Sequence, residues 1–449
     1  MMIDFAAASL DTLIAKGGHP CTCGRPHEMN MDFLRIGAGV VNTLPEALTA
    51  LGCRKPFVVC DVHTRDAAWD KVRAVLEAAG IAYTYYCFPM AHVEPDEYAM
   101  GSLVMSFDPA CDCVLGVGSG VVNDCCKVLA RAVRVKQLIV GTAPSMDGYA
   151  SNSSSMIQER IKVSLYNSCP AAIICDTDII VQAPMRMLQA GLGDMLAKYV
   201  ALCEWRISHI VTGEYYCERI AALMRASLKK IVDAAPGLKH RDPAAVEATV
   251  EGLVLSGIAM SYAQISRPAS GLEHYFSHLW EMMALDRNTP YELHGIQVGV
   301  GTLLALRVYD QIRTMRPDRE KAEAFIRSFD SAAWEAMIRR IFGKAAEAVI
   351  EQEHTRFHKN DAARHAARLE NMLAHWDEIL RIIDEELPST DFIAALMKDL
   401  DMPMTPADIG VSRQDTQDAF IASRDIRDKY LTSSMLWDMG ELYDMTAPE

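Results

Sequence analysis

Two hydrophobic periods divide this chain at about residue 183. Before it, apolar runs of strand length alternate with segments of helical spacing; after Pro184 only the helical spacing remains. Lys55-Pro-Phe-Val-Val-Cys-Asp61 is a buried-strand run that ends on an acid, 67–79 has helical spacing closed at Gly80, and 81–88 is strand-like. Residues 94–107 look helical, 113–117 form a strand, a helix runs from about 124 to 133, and 137–141 and 171–176 are two further strands. This alternation predicts a largely parallel sheet covered by helices on both faces. The segments 185–210, 215–234, 243–265, 271–284 and 295–313 predict helices. Helical patterns then continue past Pro317 to about Leu387, where Pro388 stops them. The predicted organisation is an α/β domain over 1–183 and an all-α domain over 184–449.

A chain of 449 residues supports two domains, and its hydrophobic half is enough for both cores. A formal net charge of −15, with no long Lys/Arg run, makes nucleic acid and anionic membrane surfaces poor partners. The opening MMIDFAAASLDTLIAK carries an early Asp4 and no basic segment, unlike a signal peptide. Apolar runs such as 252–263 are too short to span a bilayer. Thirteen cysteines, an odd number scattered through predicted strands and helices, fit reduced thiols better than a disulfide framework. The expectation is a cytoplasmic protein with no nucleic-acid partner and no membrane insertion.

Gly116-Val-Gly118-Ser119-Gly120-Val121-Val122-Asn123-Asp124 follows a strand and opens a helix. Glycines there let backbone amides approach a pyrophosphate, and the helix N-terminus favours negative charge. The bland alternative is a tight connection, and this is not the first strand-to-helix turn of the domain. Gly141-Thr142-Ala-Pro-Ser145-Met-Asp147-Gly-Tyr-Ala-Ser151 is a second loop after a strand, either a polar turn or a second wall of the same site. Asp61 closes a strand, where an acid can bind ribose hydroxyls and favour NAD.

Asp194, in GLGDMLAK, joins His274 and His278 of GLEHYFSH and His294 as candidate metal ligands. One carboxylate and two well-separated histidines make a three-ligand set, which leaves coordination positions open as a catalytic metal requires. His274 and His278 stand at i and i+4 on one helix face. Either both bind metal, or one does while the other faces substrate. Asp194 with Lys198 one turn on could equally be a plain helix salt bridge. Cys21-Thr-Cys23-Gly-Arg-Pro-His27 offers two thiols and one histidine, short of a closed tetrahedral site, and is read as structural or redox-neutral.

The runs VGSGVVNDCCK, GTAPSMDGYAS and GDMLAKY, the segment SGLEHYFSH with WEM after it, and HGIQVGVGTLL stand in order between about residues 20 and 310. Together they resemble the bacterial branch of the sn-glycerol-1-phosphate dehydrogenase family, within the iron-containing alcohol dehydrogenase and dehydroquinate synthase superfamily. TAPSMDGYAS is the most specific element; the glycine loop is shared with glycerol dehydrogenases and dehydroquinate synthases. Val117 departs from the glycine found there in many members. The resemblance implies a dehydroquinate synthase-like fold, an α/β dinucleotide-binding domain followed by an all-α metal-binding domain. It gives Gly120 to Asp124, Thr142 to Ser145, and Ser151 to NAD or NADP. It gives Asp147 and His278 to substrate, and Asp194, His274 and His294 to one divalent metal, zinc, nickel or iron, with Asp194 also near substrate.

The activity so implied is metal-dependent, reversible reduction of dihydroxyacetone phosphate to sn-glycerol 1-phosphate by a homodimer, feeding glycerophospholipid synthesis. Lys162, Lys198 and Arg267 are phosphate candidates by position. The rivals are a glycerol or other polyol dehydrogenase, a dehydroquinate synthase-like lyase that regenerates its nucleotide, and a non-catalytic binding protein.

Overall fold

The computed structural model describes residues 3–447. The chain forms two compact units, Met1–Met195 with Glu218–Ser266, and Leu196–Cys217 with Arg267–Glu449. The expected boundary at 183/184 follows secondary structure, whereas the compact units give the helical stretches 185–195 and 218–266 to the sheet-bearing part. Packing explains this: Arg241 Nη1 donates to Val181 O at 2.7 Å and Ala183 O at 2.5 Å, tying that helical stretch to the end of the sheet region.

Among the described residues the first unit holds eight strands: β1 (Phe33–Gly37), β2 (Pro56–Asp61), β3 (Thr84–Phe88), β4 (Cys113–Gly118), β5 (Lys136–Gly141), β6 (Ser153–Gln158), β7 (Ile161–Tyr166) and β8 (Ala172–Asp176). Six of them pair in parallel in the order β1-β8-β5-β4-β2-β3. Val58, Leu115, Val140 and Ile174 pack on one face, while Phe57, Val59 and Val114 meet Val122, Cys126 and Leu129 on the other. Burial on both faces is why these strands read as unbroken apolar runs. The strand order reverses between β2 and β4: β3 lies outside β2, and β5 and β8 follow β4 in the other direction. In open α/β sheets ligands bind beyond the carboxyl ends of the strands at such a switch point. Asp61 ends β2 there, and Gly118 ends β4.

Two features lie outside the expected pattern. β1 is a short edge strand, and β6 and β7 form an antiparallel hairpin between β5 and β8. The hairpin turns on Glu159 (φ 51°) and Arg160 (φ 67°). Positive φ at both central residues is the type I′ geometry, whose twist matches the flanking strands.

The helices that matter to the site are α1 (Gly120–Val133), α2 (Met185–Leu196), α3 (Lys198–Thr212), α4 (Glu218–Ala234), α5 (Pro243–Ala263), α6 (Leu272–Arg287) and α7 (His294–Ile312). The pattern expected as one helix over 185–210 is therefore two, α2 and α3. Among the described residues α5 is the one helix long and apolar enough to cross a membrane, longer than the run expected there. It is 72% buried over its apolar window, as a core helix is.

The regular elements of the second unit, among its described residues, are all helices. Helices do not stop at Pro388: Ser389 accepts from Phe392 N and caps a new helix, Thr390–Asp399, and Arg413–Ala422 and Thr432–Asp438 follow. Proline ends one helix and the serine beside it starts the next. Buried Glu204 on α3 accepts from Leu272 N at 3.1 Å and from Thr432 N at 2.8 Å, joining α3 to α6 and to the last of these helices. Burial, with the Glu273 charge nearby, pushes its carboxyl up to about 7.

Candidate active site

The glycine turn and the 141–151 loop form one hydrogen-bonded assembly. Thr142 N donates to Gly118 O at 3.1 Å, and Ser119 Oγ lies 2.7 Å from Ser145 Oγ. Tyr149 OH donates to Ala143 O at 2.7 Å. No side chain caps α1, because the Ser119 hydroxyl is turned to the neighbouring loop instead. The first turn of α1, Gly120 with Val121 and Val122, thus presents an uncapped N-terminus at the sheet's switch point, the setting that suits a phosphate.

The side chains of Asn123, Asp124 and Ser151 are used within the assembly. Asn123 donates to Gly148 O at 3.2 Å and accepts from Gln137 Nε2 at 2.9 Å. Asp124 accepts from Ser155 N at 3.0 Å and from Lys127 Nζ at 3.3 Å. Its burial raises the carboxyl pKa, and the Lys127 ammonium opposes the shift. Lys127, 2% exposed, also donates to Gly148 O at 2.7 Å, Ser151 Oγ at 3.2 Å and Ser153 O at 3.0 Å. Sequence reasoning missed Lys127; its place two turns into a helix that opens on a glycine loop was the available signal. Asp61 caps the short helix after β2, its Oδ1 accepting from His63 N and Thr64 N, both at 2.8 Å.

Asp147 and Asp194 meet through the main chain. Asp147 N donates to Asp194 Oδ2 at 2.8 Å, while Asp147 Oδ2 accepts from Ser256 Oγ on α5 at 2.7 Å. Two glycines allow this proximity. A Cβ on Gly191 of α2 would stand 1.9 Å from Pro144 O, and one on Gly257 of α5 would stand 2.7 Å from Ala150 Cβ. Both helices therefore lie directly on the loop, and Asp194, fully buried, comes under Asp147.

Three histidines gather in the second unit. His274 and His278 rise from α6, and His294 opens α7. Ring centroids are 5.4 Å apart for His274 and His294, and 5.6 Å for His278 and His294. His274 Nδ1 lies 2.8 Å from Glu273 Oε1, and His294 Nδ1 lies 3.1 Å from Glu281 Oε1 and 3.0 Å from Ser277 Oγ. Glu273 and Glu281 are buried. A carboxylate only accepts, so each Nδ1 carries the proton and each Nε2 keeps its lone pair. This is how a metal-binding histidine is oriented. Glu281 could itself be a ligand, since one ligand atom each of His278, Glu281 and His294 lie within 4.8 Å of one another. Its contact with the protonated Nδ1 makes it the orienting partner instead. Glu281 and Ser277 were not among the sequence candidates.

Of the phosphate candidates, buried Arg267 is committed elsewhere. It donates to Glu214 at 2.8 and 2.5 Å, to Tyr430 O at 2.9 Å and to Ser208 Oγ at 3.1 Å. Lys198 is fully buried at the start of α3, and Lys162 lies half-buried on β7.

The profile of a family described as iron-containing alcohol dehydrogenase matches residues 35–184, from β1 to just past β8. The glycerol-1-phosphate dehydrogenase (NAD(P)+) of Halalkalibacterium halodurans is 31% identical over 309 residues, 68% of this chain and 76% of its own. The protein of the same name from Hyperthermus butylicus is 34% identical over 278 residues, 61% of this chain and 77% of its own. Among solved structures, glycerol dehydrogenase from Schizosaccharomyces pombe aligns with a TM-score of 0.60 at 15% identity, over 92% of this chain and 89% of that one. Alcohol dehydrogenase from Oenococcus oeni aligns with a TM-score of 0.58 at 15% identity, over 91% and 97%. The structural likenesses establish the fold alone. The sequence identity, sustained over most of its relatives' length, establishes that the chain belongs to the glycerol-1-phosphate dehydrogenase family within the iron-containing alcohol dehydrogenases, and that it is an oxidoreductase.

Proposed function

We propose that the chain reduces dihydroxyacetone phosphate to sn-glycerol 1-phosphate, reversibly, with NADH or NADPH. The observation that carries this reading is the pair His274 and His294, each with Nδ1 held by a buried carboxylate, in a chain whose relatives are named for that product. Asp194, His274 and His294 would hold one divalent ion, zinc, nickel or iron. Bound there, the ion supplies Lewis acidity to a carbonyl oxygen and the nicotinamide supplies hydride.

The remaining roles fall to the chain's own groups. Gly118, Ser119 and the opening of α1 from Gly120 to Asp124 would receive the pyrophosphate, with Thr142, Ser145 and Ser151 lining the opposite wall. Asp61, whose Oδ1 serves the cap, would offer Oδ2 to ribose hydroxyls. Asp147, steadied by Ser256, would orient the substrate hydroxyl, and His278 would position the substrate or relay a proton. All thirteen cysteines are thiols, which suits the reducing cytoplasm, and a homodimer belongs to the same reading.

The test is nucleotide absorbance with dihydroxyacetone phosphate or dihydroxyacetone, each reduced nucleotide, and added zinc, nickel or iron. Turnover restricted to the phosphorylated ketone supports the proposal. Equal turnover of dihydroxyacetone would replace it with a polyol dehydrogenase, and product formation without net nucleotide oxidation would point to a lyase.

A further inference from the structure

We propose that Cys21, Cys23, His27 and Cys217 hold a structural zinc ion, separate from the metal set of the active site. The backbone first makes a closed loop. His19 N donates to His27 O at 2.7 Å, His27 N donates to His19 O at 2.9 Å, and Gly24 (φ 84°) turns the chain with its amide on Cys21 O at 3.2 Å. Inside the loop, one ligand atom each of Cys21, Cys23 and His27 lie within 4.8 Å of one another. His27 Nε2 is 3.4 Å from Cys23 Sγ.

The tautomer of His27 supplies an independent observation. The ring is fully buried, stacked on Tyr262 with centroids 5.6 Å apart, and its Nδ1 lies 3.0 Å from Tyr262 O. A carbonyl only accepts, so Nδ1 is the protonated nitrogen and Nε2 turns its lone pair to the thiols. A metal-binding histidine is held in this way by a backbone carbonyl on its other nitrogen.

The fourth ligand follows from chain connectivity. Helix α4 packs against the turn at Phe5–Ala7, and its Arg219 donates to Pro20 O at 3.1 Å while lying 4.3 Å over the Phe5 ring. Cys217, buried, is bonded to Glu218, the first residue of that helix, and is carried to the same loop. Three thiolates and one imidazole form the closed tetrahedral set of a structural zinc site, and such soft donors disfavour magnesium and calcium. Sequence reasoning stopped at three ligands because the fourth lies far along the chain. The ion would clip the N-terminal segment to the start of α4, making its binding energy part of the folding energy.

The test uses the full chain. Elemental analysis of zinc-loaded protein should show one more metal equivalent in the parent than in Cys23→Ser or Cys217→Ser. Cobalt-loaded protein should show thiolate-to-cobalt charge-transfer absorption. That band should survive Asp194→Asn, because the Asp194, His274 and His294 set contains no sulfur, and should vanish in Cys23→Ser. The parent's cobalt spectrum decides even where a serine variant does not fold. Cobalt uptake without a thiolate band, or a disulfide among the three cysteines in protein purified without oxidant, overturns the proposal.

Discussion

Gly191→Ala adds one methyl group and should damage both stability and turnover. Gly101 is the control, because both glycines lie inside helices, where alanine is favoured over glycine by roughly 0.5–1 kcal/mol. A Cβ on Gly101 meets nothing within 4 Å, so there the gain stands alone. A Cβ on Gly191 would stand 1.9 Å from Pro144 O, and ordinary contact begins at 3.4 Å, so helix α2 and the loop must part by about 1.5 Å. The hydrogen bond from Asp147 N to Asp194 Oδ2, now 2.8 Å, does not survive such a displacement. Overpacking costs roughly 1–3 kcal/mol and losing a hydrogen bond to a charged group roughly 1.5–3 kcal/mol, which after the helix gain leaves a net loss of about 2–5 kcal/mol. Misplacement on this scale lowers kcat/KM by on the order of 100-fold. Urea unfolding and steady-state kinetics of the two variants provide the comparison. If Gly191→Ala matched Gly101→Ala in both, the argument that α2 is seated directly on the loop would be refuted.

Glu281→Gln keeps the shape beside His294 but weakens its grip on the Nδ1 proton, and metal affinity in a competition titration should fall about 10–100-fold; unchanged affinity would remove Glu281 as orienting partner. His274→Ala should lose metal and turnover together, whereas His278→Ala should keep metal and nucleotide and lose kcat/KM. Comparable metal loss in the two folded variants would reject that division of roles. Gly120→Val should weaken nucleotide binding at least tenfold by about the logic of blocked backbone approach, with metal content unchanged; an unaltered nucleotide Kd would reduce the turn to a connector. Lys55, with the Ala110 amide and the Thr84 hydroxyl, draws the Asp108 carboxyl down to about 2. Its folded pKa lies below the unfolded value of about 3.9, so its stabilisation is complete above that value and is lost as pH falls through the folded one. Asp108→Asn should flatten the pH dependence of unfolding in that window, and an identical acid profile would contradict the assignment.

The central strands were legible because burial on both faces leaves Val114, Leu115 and Val117 with no polar interruption, and the glycine turn after them is where a parallel strand must hand over to a helix. The hairpin was not. Ser153–Gln158 is largely polar, and its turn uses Glu159 and Arg160 at positive φ where Asn-Gly would have announced it. Strand β1 carries Arg35, whose guanidinium lies over Phe33 at 4.6 Å, and a polar residue in a short edge strand breaks the apolar run. The metal-set candidates could be named from local spacing. Their supports could not: Glu281 looks like any helix-surface acid, and Ser256 sits in an apolar helix 109 positions from the Asp147 it steadies. Pro388 was a correct helix stop, but the capping power of Ser389 was overlooked, and so were the helices beyond it.

Lys127 has a consequence for binding kinetics. Its ammonium gathers Gly148 O, Ser151 Oγ, Ser153 O and Asp124 Oδ1 into one buried knot, so the loop after β5 takes its shape when the chain folds. Ordering a backbone costs roughly 1–2 kcal/mol per residue, and here that entropy is lost before any ligand arrives. A nucleotide bound there as proposed would dock on a finished surface, at a rate set by encounter and orientation, with no slow rearrangement of this loop to wait for.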